Sequence, residues 1–226
     1  MTPAIALDPA VFAAGGLMSF SGGTDPAKAG LVGALLSGAI EELTHSKSSH
    51  VALVLPASYW PDGKPWIVES TIWGKVSGPQ FNELGPRLQI DYAARGGHAA
   101  LLRFQPEFAP EWSGVWTAAQ QLMAQVKAGT LHYSVKRLFA DATERNLAFA
   151  ALPVAGILGL LAQQDHGLVC SECAGLLMQA GGVDAKAKAA GIAWLPKVEP
   201  VAGQPIGCAP QDLLDMPIWQ AAVPVL

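Results

Sequence analysis

Apolar residues gather along the chain in short runs of two different periods. Leu17 to Phe20, within GGLMSFSGG, reads as a short strand. In TDPAKAGLVGALLSGAIEEL, Asp25 is placed to cap a helix and Pro26 to open it. Leu31, Val32, Leu35, Leu36, Ala39, Ile40 and Leu43 then fall on one face. The polar loop THSKSS leads into HVALVLP, a β-branched and leucine-rich strand ended by Pro56, and KPWIVEST follows across the turn-rich SYWPDG. These two runs predict adjacent strands. Ala99 to Phe104 predicts another strand. PEWSGVWTAAQQLMAQVKAG then carries Trp112, Val115, Trp116, Ala119, Leu122, Met123 and Val126 at helical spacing, with Gly129 closing the helix.

Late in the chain, GLVCSECAGLLMQAGG joins a brief extended lead-in to a helix ending at Gly181-Gly182. This puts Cys170 at or just before a helix N-terminus. APQDLLDMPIW predicts a capped turn or short helix that packs Leu213, Leu214 and Trp219. Strands and helices are interspersed, with no internal repeat and no long linker, so the expectation is one α+β domain over residues 1–226. A domain of this size buries roughly 70–75% of its unfolded surface and needs no disulfide staples.

The longest apolar run, Leu147 to Ala162, is 16 residues and is interrupted by Pro153, Gly156 and Gly159. A membrane span wants about 20 apolar residues, so the run reads as a buried helix or a flap over a cleft. It nevertheless keeps a lipid-like substrate in play. The net charge of −4 gives no footprint for nucleic acid. Three cysteines cannot all pair, which favours reduced thiols. MTPAIALDPAVFAAGG lacks the basic start of a signal peptide, so a cytoplasmic location is expected.

The chemistry therefore turns on the cysteines. Cys170 and Cys173 have the spacing of a redox pair, but that motif ordinarily follows the first strand of a βαβ unit. His166, Cys170 and Cys173 with Cys208 or His132 could supply four metal ligands, but only one close pair is visible. Cys173 and Cys208 read best as buried small apolar residues, Cys173 sharing a helix face with Leu176 and Leu177. Cys170 differs because of its place. A free thiol is only a few per cent thiolate at pH 7, and a helix N-terminus contributes roughly 0.3–1 kcal/mol where one pKa unit needs about 1.4. A nucleophilic Cys170 therefore needs a cationic histidine, itself oriented by a third group. His50 opens a strand after a serine-rich loop, and Glu69 ends the next apolar run. Taken singly, each is more often an ordinary strand-end residue. If the two strands pair antiparallel, the imidazole and carboxylate come within reach.

SSHVALVLP, WIVESTIWGKVSGP and VCSECAGLLMQAGG, in that order, resemble segments of the circularly permuted NlpC-type, papain-like cysteine hydrolases, the YiiX/YebB-like group. Shorter likenesses lie in GGLMSFSGG, GTLHYSVKRLF and APQDLLDMP. The resemblance implies a small antiparallel sheet or half-barrel packed against the nucleophile helix, with Cys170 as nucleophile, His50 as its base and Glu69 as orienting carboxylate. Tyr133, Ser49 and Ser171 are the expected substrate-binding residues. The chain departs from the family pattern at Gly16 and Ser134, where aspartates are usual, and at Cys173. The implied reaction is cleavage of an amide bond, in a small peptide or cell-wall-type peptide, without metal or other cofactor. A lipid acyl hydrolase or acyltransferase of the lecithin–retinol acyltransferase-like type is the alternative enzyme. A non-catalytic binding or structural module with the same fold is the alternative outside catalysis.

Overall fold

The computed structural model describes residues 5–22, 48–71, 77–132, 169–194, 208 and 210–226. The helix expected over 25–43, the apolar run 147–162, Tyr133, Ser134 and His166 lie outside the described residues. The elements are α1 (Pro9–Phe12), β1 (Gly16–Ser21), β2 (His50–Val54), β3 (Trp66–Thr71), β4 (Gly78–Glu83), α2 (Leu84–Arg87), β5 (His98–Leu102), α3 (Trp112–Lys127), α4 (Cys170–Ala180), α5 (Val183–Ala189), α6 (Pro210–Leu214) and β6 (Val223–Pro224). The strands form one six-stranded sheet in the order β4-β3-β2-β1-β5-β6, every pair antiparallel.

The central strands read as nearly continuous apolar runs because both faces of the sheet are covered. Met18, Phe20, Ala52, Val54, Ile67 and Leu101 point to one side, where Phe12 of α1, Leu84 of α2, and Leu88 and Tyr92 just beyond it close the layer. Leu17, Val51, Leu53, Val68 and Leu102 point to the other, against Val115 and Ala119 of α3 and Cys173 and Leu177 of α4. The expected strands at 17–20, 50–56, 64–71 and 99–104 are observed close to those bounds, as are the helices beginning near Trp112 and at Cys170.

The segment from Gly78 to Arg95 differs from the expectation. GPQFNE has no β-branched alternation, yet it forms β4 because β3 offers a free edge, and the pairing runs from Trp66↔Glu83 to Thr71↔Gly78. The chain then coils through α2, a wider turn at Leu88–Tyr92 and a tight turn at Ala93–Arg95. This coil lids the face that carries Phe20 and Ala52.

Close backbone approach sets Gly16 and Gly114. At Gly16, φ is +154°, and a β-carbon would stand 2.5 Å from the Leu102 carbonyl oxygen. At Gly114 on α3, a β-carbon would stand 2.4 Å from the Ala180 carbonyl oxygen at the end of α4. The crossing of α3 and α4 depends on that contact, because the obstructing atom is backbone and cannot rotate away. Gly114→Ala is therefore expected to lower stability by about 1–3 kcal/mol, measured as a fall in the urea midpoint against wild type.

Candidate active site

His50 is the first residue of β2, opposite Phe20 of β1. Its backbone is held where it leaves the serine-rich loop: the Ser48 hydroxyl lies 2.8 Å from both the Phe20 and the His50 carbonyl oxygens. Its ring lies 5.6 Å from the Phe20 ring, which in turn stacks on Tyr92 at 4.5 Å. β2 and β3 pair at Leu53↔Val68 and Val54↔Ile67. Continued by one step, this register sets Glu69 opposite Ala52, so Glu69 is the diagonal neighbour of His50 on the same face. The outcome is a 2.5 Å contact between His50 Nε2 and Glu69 Oε2.

Cys170 is the first residue of α4, following Val169 in extended conformation. The Glu172 carboxylate reaches back to accept the Val169 N–H at 3.1 Å, fixing the first turn. α4 packs across β2 and β3. Its tip delivers the Cys170 sulfur to His50, which hydrogen-bonds to it. Backbone N–H groups of Val51 and Ser171 also hydrogen-bond the sulfur. The Val51 amide belongs to the end of β2 beyond its ladder with β3, where the thiol takes up the donor.

Charge follows from this geometry. Burial opposes ionisation of Cys170, but the His50 charge, the His50 hydrogen bond and the two amides overcome it, and the thiol is held below the ordinary thiol range. Burial likewise disfavours the His50 cation, yet the Cys170 thiolate and Glu69 raise the imidazole to about 9. Glu69 is 1% exposed. Burial would raise its pKa, but His50 and Arg87 together bring it down to about 2. Cys173, fully buried and without such a partner, is pushed well above the usual thiol range by burial and by the neighbouring Cys170. It stays a thiol. One cysteine of the pair is thus drawn toward ionisation, and Cys173 is buried packing, as the helix-face argument expects.

Two further side chains at the carboxylate, Arg87 and Asn82, were not anticipated. Arg87 donates from Nε to Glu69 Oε1 at 2.8 Å and from Nη2 to Oε2 at 3.1 Å, while Asn82 Nδ2 donates to Oε1 at 2.7 Å. Arg87 also pairs through Nη1 with Asp91 at 2.6 Å and lies over the Tyr92 ring at 5.5 Å. They lie in NELGPRLQIDY, a segment to which the sequence assigns no strand or helix. The one available signal was a single arginine within the otherwise uncharged LGPRLQI.

Ser49 and Ser171 adjoin His50 and Cys170 along the chain, and their hydroxyls are engaged with backbone. Ser49 accepts the Gly22 N–H at 2.9 Å and lies 3.4 Å from the Phe20 carbonyl oxygen, while Ser171 donates to the Cys208 carbonyl. Among the described residues, no group of three His, Cys, Asp or Glu side chains is arranged to hold a metal ion, and no helix is long and apolar enough to cross a membrane.

No protein-family model matches the sequence, and comparison with curated proteins gives no match. Among solved structures, the chain is similar to the metalloprotein YiiX from Escherichia coli O157:H7. The identity is 15% over 92% of this chain and 94% of that one, with a TM-score of 0.49.

The paired shifts set how stability responds to pH. Glu69, depressed from 4.5 to about 2, contributes stability that is present above 4.5 and lost as pH falls toward 2. That contribution is at most about 3 kcal/mol. His50, raised from 6.5 to about 9, contributes stability that is present below 6.5 and lost as pH rises toward 9, and the lowered Cys170 thiol, whose contribution grows over the same rise, offsets that loss. Urea unfolding across this pH series checks both limbs, and Glu69→Gln should lessen the acid fall.

Proposed function

We propose that the protein is a cysteine hydrolase that cleaves an amide bond by acyl transfer, on a papain-like fold of permuted order. The observation that carries the reading is the His50 ring held between the Cys170 sulfur and the Glu69 carboxylate. The chain order of these residues, His50, Glu69 and Cys170, is that of the permuted family resembled in the sequence. The mixed α+β architecture, with a helix starting at the nucleophile and packed across the histidine and glutamate strands, is what that family implies.

In this reading the Cys170 thiolate attacks the amide carbonyl carbon, forming a C–S bond and placing negative charge on the carbonyl oxygen. A backbone N–H at the start of α4 is suited to receive that oxygen, because the first N–H groups of a helix have no intrahelical partner. The His50 imidazolium gives its proton to the leaving nitrogen as the C–N bond breaks. Water then attacks the thioester carbonyl, His50 takes the water's proton, and the C–S bond breaks to release the acid and restore the thiolate. Glu69 keeps the ring oriented and its charge balanced throughout. The substrate class is a small peptide or peptide-like amide.

The test is the rate of Cys170 alkylation by iodoacetamide against pH, alongside turnover of a panel of peptide amides. Alkylation should stay fast well below the ordinary thiol range, and turnover should fall again above about 9, where His50 loses its proton. Cys170→Ala and His50→Ala should abolish turnover with the fold retained, and Glu69→Gln should slow it by roughly a hundredfold or less. A Cys170 that titrates like a free thiol would remove the catalytic reading in favour of a binding module. Cys173→Ala should leave turnover intact and lower stability by about 1–2 kcal/mol through the small cavity it opens.

A further inference from the structure

We infer that Arg87 is a positioning residue for the thiolate–imidazolium pair, acting through Glu69 to fix the plane of the carboxylate and to offset its charge. Glu69 has no exposed surface through which water could orient it, and four donor contacts saturate its two oxygens. Two of the four come from the planar Arg87 fork, which defines the carboxylate plane as one point donor could not. The fork is itself anchored. Its remaining terminal nitrogen is held by Asp91 at 2.6 Å, and Asp91 lies 3.7 Å from Arg95. Thr71 approaches the guanidinium at 3.5 Å, and the Tyr92 ring lies beneath it.

The electrostatic consequence follows from the order of charges. Running inward from Asp91, the groups are anion, Arg87 cation, Glu69 anion, His50 cation and Cys170 anion. The surrounding elements add Asn82 from β4, and Tyr92 and Arg95 from the coil after α2. Without the guanidinium, Glu69 would bear on His50 with its full charge in a buried setting, and the thiolate would lose a nearby cation. Both changes favour the protonated forms. Removing the Arg87 charge should therefore move the ionisation of Cys170 and of His50 upward together. A residue that only filled space would alter stability and leave both where they are.

The inference rests on the thiolate–imidazolium reading proposed above, and the experiment needs no substrate. Iodoacetamide alkylation of Cys170 is followed against pH in the full-length wild-type, Arg87→Lys and Arg87→Gln chains, with thermal melts in parallel. The acid limb should move up by roughly one pH unit in Arg87→Gln and by roughly half as much in Arg87→Lys, which keeps the charge but lacks the fork. Arg87→Lys retains a cation against Glu69, so it carries the test even where Arg87→Gln fails to fold. An Arg87→Lys limb superimposed on wild type, with a wild-type limb well below the free-thiol range, overturns the role of Arg87 and leaves the triad standing. A wild-type limb at the free-thiol value overturns the triad itself. A low wild-type limb without turnover of any amide removes the hydrolase reading while the Arg87 shift can still be read.

Discussion

A single buried carboxylate sets the terms for the rest of the molecule. Glu69 lies inside the layer between the sheet and the coil that follows α2, where an unpaired charge would be costly enough to take up a proton instead. It remains ionised because β2, β4 and α2 each deliver a donor to it: His50, Asn82 and Arg87. The edge strand β4 and the irregular coil therefore have a purpose beyond covering apolar side chains. They complete the coordination of one oxygen pair, and the imidazole takes its orientation from the result.

The same demand explains why the sheet is covered on both faces while its chemistry lies at one end. Apolar packing holds the middle of β1, β2 and β3 from both sides, with Leu17, Leu53 and Val68 against the long helices and Met18, Val54 and Ile67 against the shorter ones. Past the last β2–β3 pair the strands give up mutual pairing, and the tip of α4 takes that position. The Cys170 thiol, the His50 ring and the Glu69 carboxylate meet where the scaffold is rigid on one side and open to substitution of hydrogen-bond partners on the other.

Much of this was legible in the sequence, for identifiable reasons. HVALV and WIVEST are β-rich apolar runs bounded by turn residues, and CSECAGLLMQA is a helical pattern closed by two glycines, so the strands and helix carrying His50, Glu69 and Cys170 were evident from local composition. The grouping of Cys170, His50 and Glu69 followed from a chemical requirement, that a low-pKa thiol needs a cation, together with the order of three short segments. The rest was not legible because its information is not local. GPQFNE becomes a strand only because β3 has an edge to pair, and Arg87 looks like a surface charge until the fold buries it against Glu69. Ser49 and Ser171 were singled out as polar neighbours of His50 and Cys170, and their contacts with the Gly22, Phe20 and Cys208 backbone could not be read from adjacency.

The Val51 amide, directed at sulfur instead of at a neighbouring strand, turns a backbone proton into a reporter on the site. Its shielding depends on whether the atom it faces carries an electron pair in anionic or protonated form, so one nuclear resonance tracks the electronic state of the Cys170 sulfur without any probe being introduced.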